Sequence, residues 1–189
     1  PSNVEIHGYG IPLYVNMPYA WGTPDPPRVP ENTNPVGSYR RTFTIPPFWS
    51  GRQIFLRFDG GAWAFYVWVN GEKVGFSKDS RTSAEFNITK HLRPGDNLLA
   101  VEVYRFSDGS YLECQDFWRL SGIFRDVTLR STAALTVRDL QVNTDLDDQY
   151  RDAQLRVLAK VRNYGGEGQV ASVEVALLEA APELGGTIR

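Results

Sequence analysis

From Ser38 onward apolar and polar residues alternate with a period of two. The segments YRRTFTI, QIFLRFDG, AFYVWVNG, KVGFS, AEFNI, NLLAVEVYRF and IFRDVTLR are short, rich in β-branched and aromatic residues, and bounded by turn formers. Alternation of this kind turns one face to a core and the other to water, which predicts half-buried antiparallel strands. Asn70-Gly71, between VWV and EKVGF, predicts a type I′ hairpin because both residues tolerate positive φ. RPGDN, at 93–97, predicts another turn, with Pro94 presetting φ. Only ITKHL looks helical, and it is at most one turn long. The predicted fold class is all-β, a jelly-roll β-sandwich.

The alternation resumes after residue 132 in LTVRDLQVNTDL, AQLRVLAKVRNYGG and VASVEVALLEA. Three strands are too few for the usual sandwich of about seven, so this part predicts a truncated immunoglobulin-like β-sandwich. Composition shifts at the same place. The chain has 10 Phe, 5 Trp and 9 Tyr, and all but Tyr150 and Tyr164 precede residue 132. The division expected is therefore 1–131 for the jelly roll and 132–189 for the partial second sandwich. All but two of the 12 prolines, Pro94 and Pro182, fall within the first 47 residues. PDPPRVPENTNP predicts ordered, polyproline-like loop rather than helix. A disordered linker is the alternative, and it would leave Tyr9, Tyr14, Tyr19 and Trp21 in water.

Charge narrows the function classes. The net charge is −2 with acids and bases interspersed, unlike the basic footprint of a nucleic-acid binder. No apolar run approaches the ~20 residues that span a bilayer, so a soluble protein is expected. Cys114 is the only cysteine, which excludes an internal disulfide and a multi-cysteine zinc site. Pro1 and the closing GGTIR read as cut ends, so a fragment of a longer chain is expected.

Chemistry-bearing residues concentrate in SYLECQDFWRLSGIFRDV, at 110–127. Asp108, just before it, and Glu113 and Asp116 within it are interleaved with Tyr111, Phe117 and Trp118. Carboxylates suit sugar hydroxyls or a hard cation, and aromatic rings suit the apolar faces of sugars. The competing reading is a surface loop whose acids pair with Arg105, Arg119 and Arg125. Glu113 and Asp116 as a glycosidase pair would need two carboxyls ~5–5.5 Å apart across a bond, which spacing alone does not show. A second cluster is HGYGIPLYVNMPYAW, where the Asn16 amide lies among tyrosines and a tryptophan. It suits either a sugar hydroxyl or the local backbone. His7 and His91 have no ligand spacing around them and read as structural. No phosphate loop or nucleophile elbow is present. Asn87-Ile88-Thr89 matches a glycosylation pattern too short to carry weight.

IHGYGIPLYVNMPYAW, NPVGSYRRTFTIP, FDGGAWAFYVWVNGEKVGFSKDSRTSAEFNIT and RFSDGSYLECQDFWRLSGIFRDVTL resemble, in one register over residues 5–131, the sugar-binding domain of the large bacterial β-galactosidases. These are lac-type enzymes of glycoside hydrolase family 2. The part from 132 onward is similar to the family's next, immunoglobulin-like domain. The resemblance implies a galactose-binding-like jelly roll. It also implies a parent enzyme that hydrolyses terminal β-D-galactose residues, such as those of lactose, with retention. The family's catalytic glutamates lie on a later TIM barrel, so residues 1–189 alone are expected to be inactive. Asn16 in YVNMPY matches the asparagine bordering the galactose pocket. Asp116 in CQDFWR matches the aspartate that ligates sodium and faces the galactose 6-hydroxyl. Glu113, Arg119 and Arg125 are expected to brace the loop.

The family also implies magnesium, with its main ligands outside these residues. Asp108 matches one ligand of a peripheral magnesium site, but Lys78 stands where well-known members have a glutamine ligand. Cys114 replaces the family's usual acid without touching the sodium ligand. The partners implied are galactosides, the rest of the chain and a homo-oligomeric parent, in a bacterial cytoplasm or periplasm. Two other readings stay open: a stand-alone carbohydrate-binding module, and a structural sandwich between domains.

Overall fold

The computed structural model describes residues 2–14, 19, 21–113 and 118–178. They divide into two compact units, 1–133 and 134–189. In the first, the described residues before Val36 contribute two short strands, β1 (Ser2–Asn3) and β2 (Leu13–Tyr14), and a 3-10 turn at Val4–His7. Longer strands follow: β3 (Val36–Phe43), β4 (Gln53–Phe58), β5 (Ala64–Val69), β6 (Glu72–Ser77), β7 (Ala84–Asn87) and β8 (Asn97–Tyr104). After a 3-10 turn at Asp108–Tyr111 come β9 (Trp118–Arg119), β10 (Gly122–Ile123) and β11 (Val127–Thr132). Helix among the described residues is confined to 3-10 turns.

Two antiparallel sheets make the sandwich, one ordered β3-β8-β5-β6 and the other β11-β4-β7. Alternation decides their facing sides. In β4, Ile54, Leu56 and Phe58 point inward; in β5, Phe65, Val67 and Val69; in β8, Leu99, Val101 and Val103. Ile88 and Ile123 join this buried cluster, with Phe86, Val127 and Leu129 packed against it. Each buried aliphatic or aromatic side chain contributes roughly 1.5–3 kcal/mol over exposure, which makes this face-to-face contact the main stabilising term.

Turn chemistry sets the β5–β6 register. Asn70 and Gly71 have φ of 53° and 88°, the positive values a type I′ turn requires. The Asn70 side chain does more than turn the chain. It donates to the His91 carbonyl and the Asn97 amide oxygen, each at 2.8 Å, and accepts from the Leu98 N–H at 2.9 Å. Buried Asn97 in turn donates to the Arg93 and Gly95 carbonyls, closing the RPGDN turn. Asn97→Leu is expected to lower stability by about 2–3 kcal/mol, because buried donors and acceptors lose their partners while volume is kept. Urea unfolding of the two chains measures it, and a loss below about 0.5 kcal/mol would show that the network adds nothing.

The second unit is a hairpin ribbon of β12 (Leu135–Leu146) and β13 (Ala153–Asn163). Its register pairs Val142 with Val157, Leu140 with Ala159 and Val137 with Val161, so one face of the ribbon is apolar. Lys160 meets Asp139 at 2.8 Å on the opposite face. The strand expected in VASVEVALLEA is not formed over its described residues, 170–178. A strand needs a ladder partner, and Val170, Val173, Val175 and Leu177 are exposed instead.

Candidate functional site

The two clusters singled out in the sequence belong to one region. β2 pairs antiparallel with β9, Leu13 against Arg119 and Tyr14 against Trp118. β1 pairs with β10 in the same sense, Asn3 against Gly122. The N-terminal segment therefore runs back along residues 118–123. Asn16 and Asp116 themselves lie outside the described residues, as does Cys114. Each is two residues along the chain from the last described pair, Tyr14 and Trp118. Those two rings are 5.7 Å apart and more than half exposed, an aromatic pair beside both segments.

A buried ion pair underlies this ribbon. Glu5 is 5% exposed and Arg105 7%, with Arg105 Nε 3.7 Å from Glu5 Oε1. The Glu5 carboxylate accepts from the Ser121 backbone N–H at 3.0–3.1 Å and from the Ser121 hydroxyl. Arg105 Nη2 donates to the Ile11 carbonyl at 2.6 Å and the Arg119 carbonyl at 3.2 Å. Burial pushes the Arg105 guanidinium below its ordinary value, and the Glu5 charge opposes that shift. No periodicity signals this pair. Glu5 and Arg105 are a hundred residues apart, and each reads alone as a surface charge.

The proline-rich stretch is knitted to the same region through Tyr111. Trp21 Nε1 and the Asp25 N–H both donate to the Tyr111 hydroxyl at 3.2 Å, and that hydroxyl donates to the Arg28 carbonyl. Tyr19 stacks on Trp21 at 5.3 Å and meets the Tyr111 ring edge-on at 4.8 Å. Asn34 pairs with both backbone groups of Phe106. This is ordered loop, as expected, although Tyr9 and Tyr14 stay exposed.

The remaining acids are engaged structurally. Glu113 accepts from the Ser80 N–H at 3.1 Å and from its hydroxyl, tying the loop to the β6–β7 connection. Arg125 donates to the Asp59 and Arg81 carbonyls. Asn87 is occupied at both ends, donating to Gln53 and accepting from Thr89. Among the described residues no three His, Cys, Asp or Glu side chains group as metal ligands. The site considered for a peripheral magnesium ion does not fit one. Lys78 Nζ lies 2.6 Å from Asp108 Oδ2, so an ammonium already neutralises that carboxylate.

The Lys78 contact holds the Asp108 carboxyl below its ordinary value. A depressed folded-state value gives a contribution complete above the ordinary carboxylate pKa, ~4, and lost as pH falls through the folded-state value. The pair is exposed, so Lys78→Met is expected to cost only ~0.2–1 kcal/mol at pH 7 and less at pH 2. Urea unfolding at both pH values checks this, and an equal loss at pH 2 would count against the pair.

A cleft of about 550 Å³ lies elsewhere. It opens between the sheet edges β3 and β11, and its walls include Tyr39, Phe43, Leu56, Phe58 and Leu129. Arg40, Arg41, Asp126 and Thr128 line it as well.

The family model described as "Glycosyl hydrolases family 2, sugar binding domain" matches residues 1–133. The chain belongs to glycoside hydrolase family 2. Within this family it is 48% identical over 184 residues to a β-galactosidase of Priestia megaterium, covering 95% of this chain and 18% of that protein. It is 51% identical over 163 residues to a β-galactosidase of Yersinia enterocolitica, covering 85% and 15%. The chain thus spans less than a fifth of the length of these relatives. A β-glucuronidase of Bacteroides uniformis superposes with a TM-score of 0.65 at 30% identity, covering 70% of this chain and 16% of its own. The family 2 sandwich is therefore common to relatives that carry different substrate names, and the strands do not distinguish those names. No helix of the described residues is long and apolar enough to cross a membrane.

Proposed function

We propose that residues 1–189 are a fragment of a retaining β-galactosidase. In this reading 1–131 form its non-catalytic sugar-binding domain and 132–189 begin an immunoglobulin-like sandwich. The observation that carries the reading is the 48–51% identity to proteins named β-galactosidase over most of this chain. Asn16 borders the galactose of lactose or a similar galactoside. Asp116 supplies a carboxylate to sodium and to the 6-hydroxyl side of the sugar. The reading is supported by the Tyr14–Trp118 pairing, since Asn16 and Asp116 are each two residues from it along the chain. Bound there, a hard cation would orient the sugar while offsetting the cost of burying the acid. The apolar face of β12 and β13 is then the half of a second sandwich that later chain completes.

The test is to extend the chain to the length of its relatives and assay chromogenic β-galactosides against β-glucuronides. Galactoside turnover by the long chain and none by residues 1–189 is expected. Preferred glucuronide turnover, or hydrolysis by residues 1–189 themselves, would overturn the proposal.

A further inference from the structure

Both sheets of the first unit end on the same side. β3 closes one and β11 the other, so each has a neighbour on one side only among the described residues. The cleft of about 550 Å³ lies between these two free edges. Its floor is core: Leu56, Phe58 and Val101 line it while being at most 3% exposed. An apolar floor between two rows of unpaired backbone groups fits an added strand, whereas a small apolar ligand would leave the edges unmet.

Arg41 adds a requirement of charge. It pairs with Leu99 across the β3–β8 ladder, so it stands on the core-facing side of β3, between Tyr39 and Phe43. It lines the cleft, stays exposed and has no ion-pair or hydrogen-bond partner among the described residues. Asp126 lines the cleft as well, without forming an ion pair with it. A second copy docking through β3 would bring like-charged Arg40-Arg41 stretches together, which disfavours it. The register of β1 gives a direction. Ser2 pairs with Ile123, itself in the cleft wall, and Asn3 pairs with Gly122. Antiparallel pairing carried back beyond Ser2 advances along 124–126 toward β11. Six residues at about 3.3 Å each match the length of that strand.

We propose that the segment of the parent chain leading into Pro1 lays a β-strand over this cleft, with alternate apolar side chains against Phe58 and Leu129 and one acidic side chain opposite Arg41. The inference rests on the reading that residues 1–189 are a fragment. They cover 18% and 15% of two relatives, which leaves ample chain to supply the strand. It does not depend on which sugar the parent cleaves.

The experiment uses the full-length enzyme with a photoreactive benzophenone side chain in place of Thr128, which is exposed and lines the cleft. Cross-linking and peptide mass spectrometry are expected to join position 128 to the chain before Pro1. A cross-link to a later segment or to a second copy, or no cross-link at all, would defeat the proposal. Hydrogen exchange of peptides covering 36–43 and 127–132 is the second readout. Deleting the residues before Pro1 is expected to speed it at least tenfold. Arg41→Glu in the intact chain should act in the same direction, and Arg41→Lys should not. Equal exchange in the intact and shortened enzymes would mean that the edges are bare in the parent and that Arg41 guards them, against the proposal. If the shortened enzyme does not fold, the cross-link and the two Arg41 variants decide. Galactoside turnover by the same full-length enzyme checks the parent reading separately: its absence beside the expected cross-link would sink that reading and leave the strand in place.

Discussion

Asp116→Asn in the full-length enzyme is expected to raise the sodium concentration for half-maximal activity by about 10–100-fold and to raise KM for a galactoside. Asparagine keeps the shape and one carbonyl oxygen but removes the charge that attracts a hard cation. Losses of that order follow when a group that holds or supports a metal ion is altered. A smaller change in kcat is expected, because in the proposed reading Asp116 orients bound sugar and takes no part in bond cleavage. Sodium titrations at fixed galactoside decide the matter: identical curves for the two enzymes would remove Asp116 from the site. Glu113→Gln is the informative comparison. Glu113 binds the Ser80 backbone and hydroxyl, so its loss should affect stability and leave the sodium response alone.

The strands of the first unit were legible because burial on one face imposes period two on the sequence. β4, β5 and β8 show this alternation over six to eight residues. β1, β2, β9 and β10 have two residues each, too few for any period to show. Their pairing is a tertiary fact, and it is what joins the two candidate sugar-binding segments. The same limit hid Glu5, whose partners Ser121 and Arg105 lie far along the chain. Asn70 was legible as a turn residue from its neighbour Gly71, but its bond to Asn97 was not. At Asp108 the resemblance suggested a cation, and the structure supplies one as the Lys78 ammonium. VASVEVALL has the right period for a strand, and its described residues still form none. Period two is necessary for a half-buried strand and does not supply the neighbour.

Phe58→Ala is expected to lower stability by about 3–5 kcal/mol, a large part of the margin of an ordinary domain. Phe58 is 1% exposed, and its ring lies 4.9 Å from Phe65 and 6.2 Å from Phe86. Its backbone is held between β7 and β11, paired with Ala84 on one side and Val127 on the other. Two ladders resist collapse, so most of the ring's volume should persist as a cavity rather than be refilled. One feature acts in the opposite direction. The cleft between β3 and β11 reaches Phe58 and Leu56, and water entering from that side would relieve part of the cavity cost. The measured loss therefore reports on the cleft as well as on the core. A value near 4 kcal/mol in urea unfolding of the full-length enzyme means that the cleft is covered there. A value near 2 kcal/mol means that the core is open to solvent at this edge. Tyr66→Ala, on the outward face of β5, is the control. Its half-buried ring packs on Trp68 and Phe76, and its loss should cost less than Phe58 in either case.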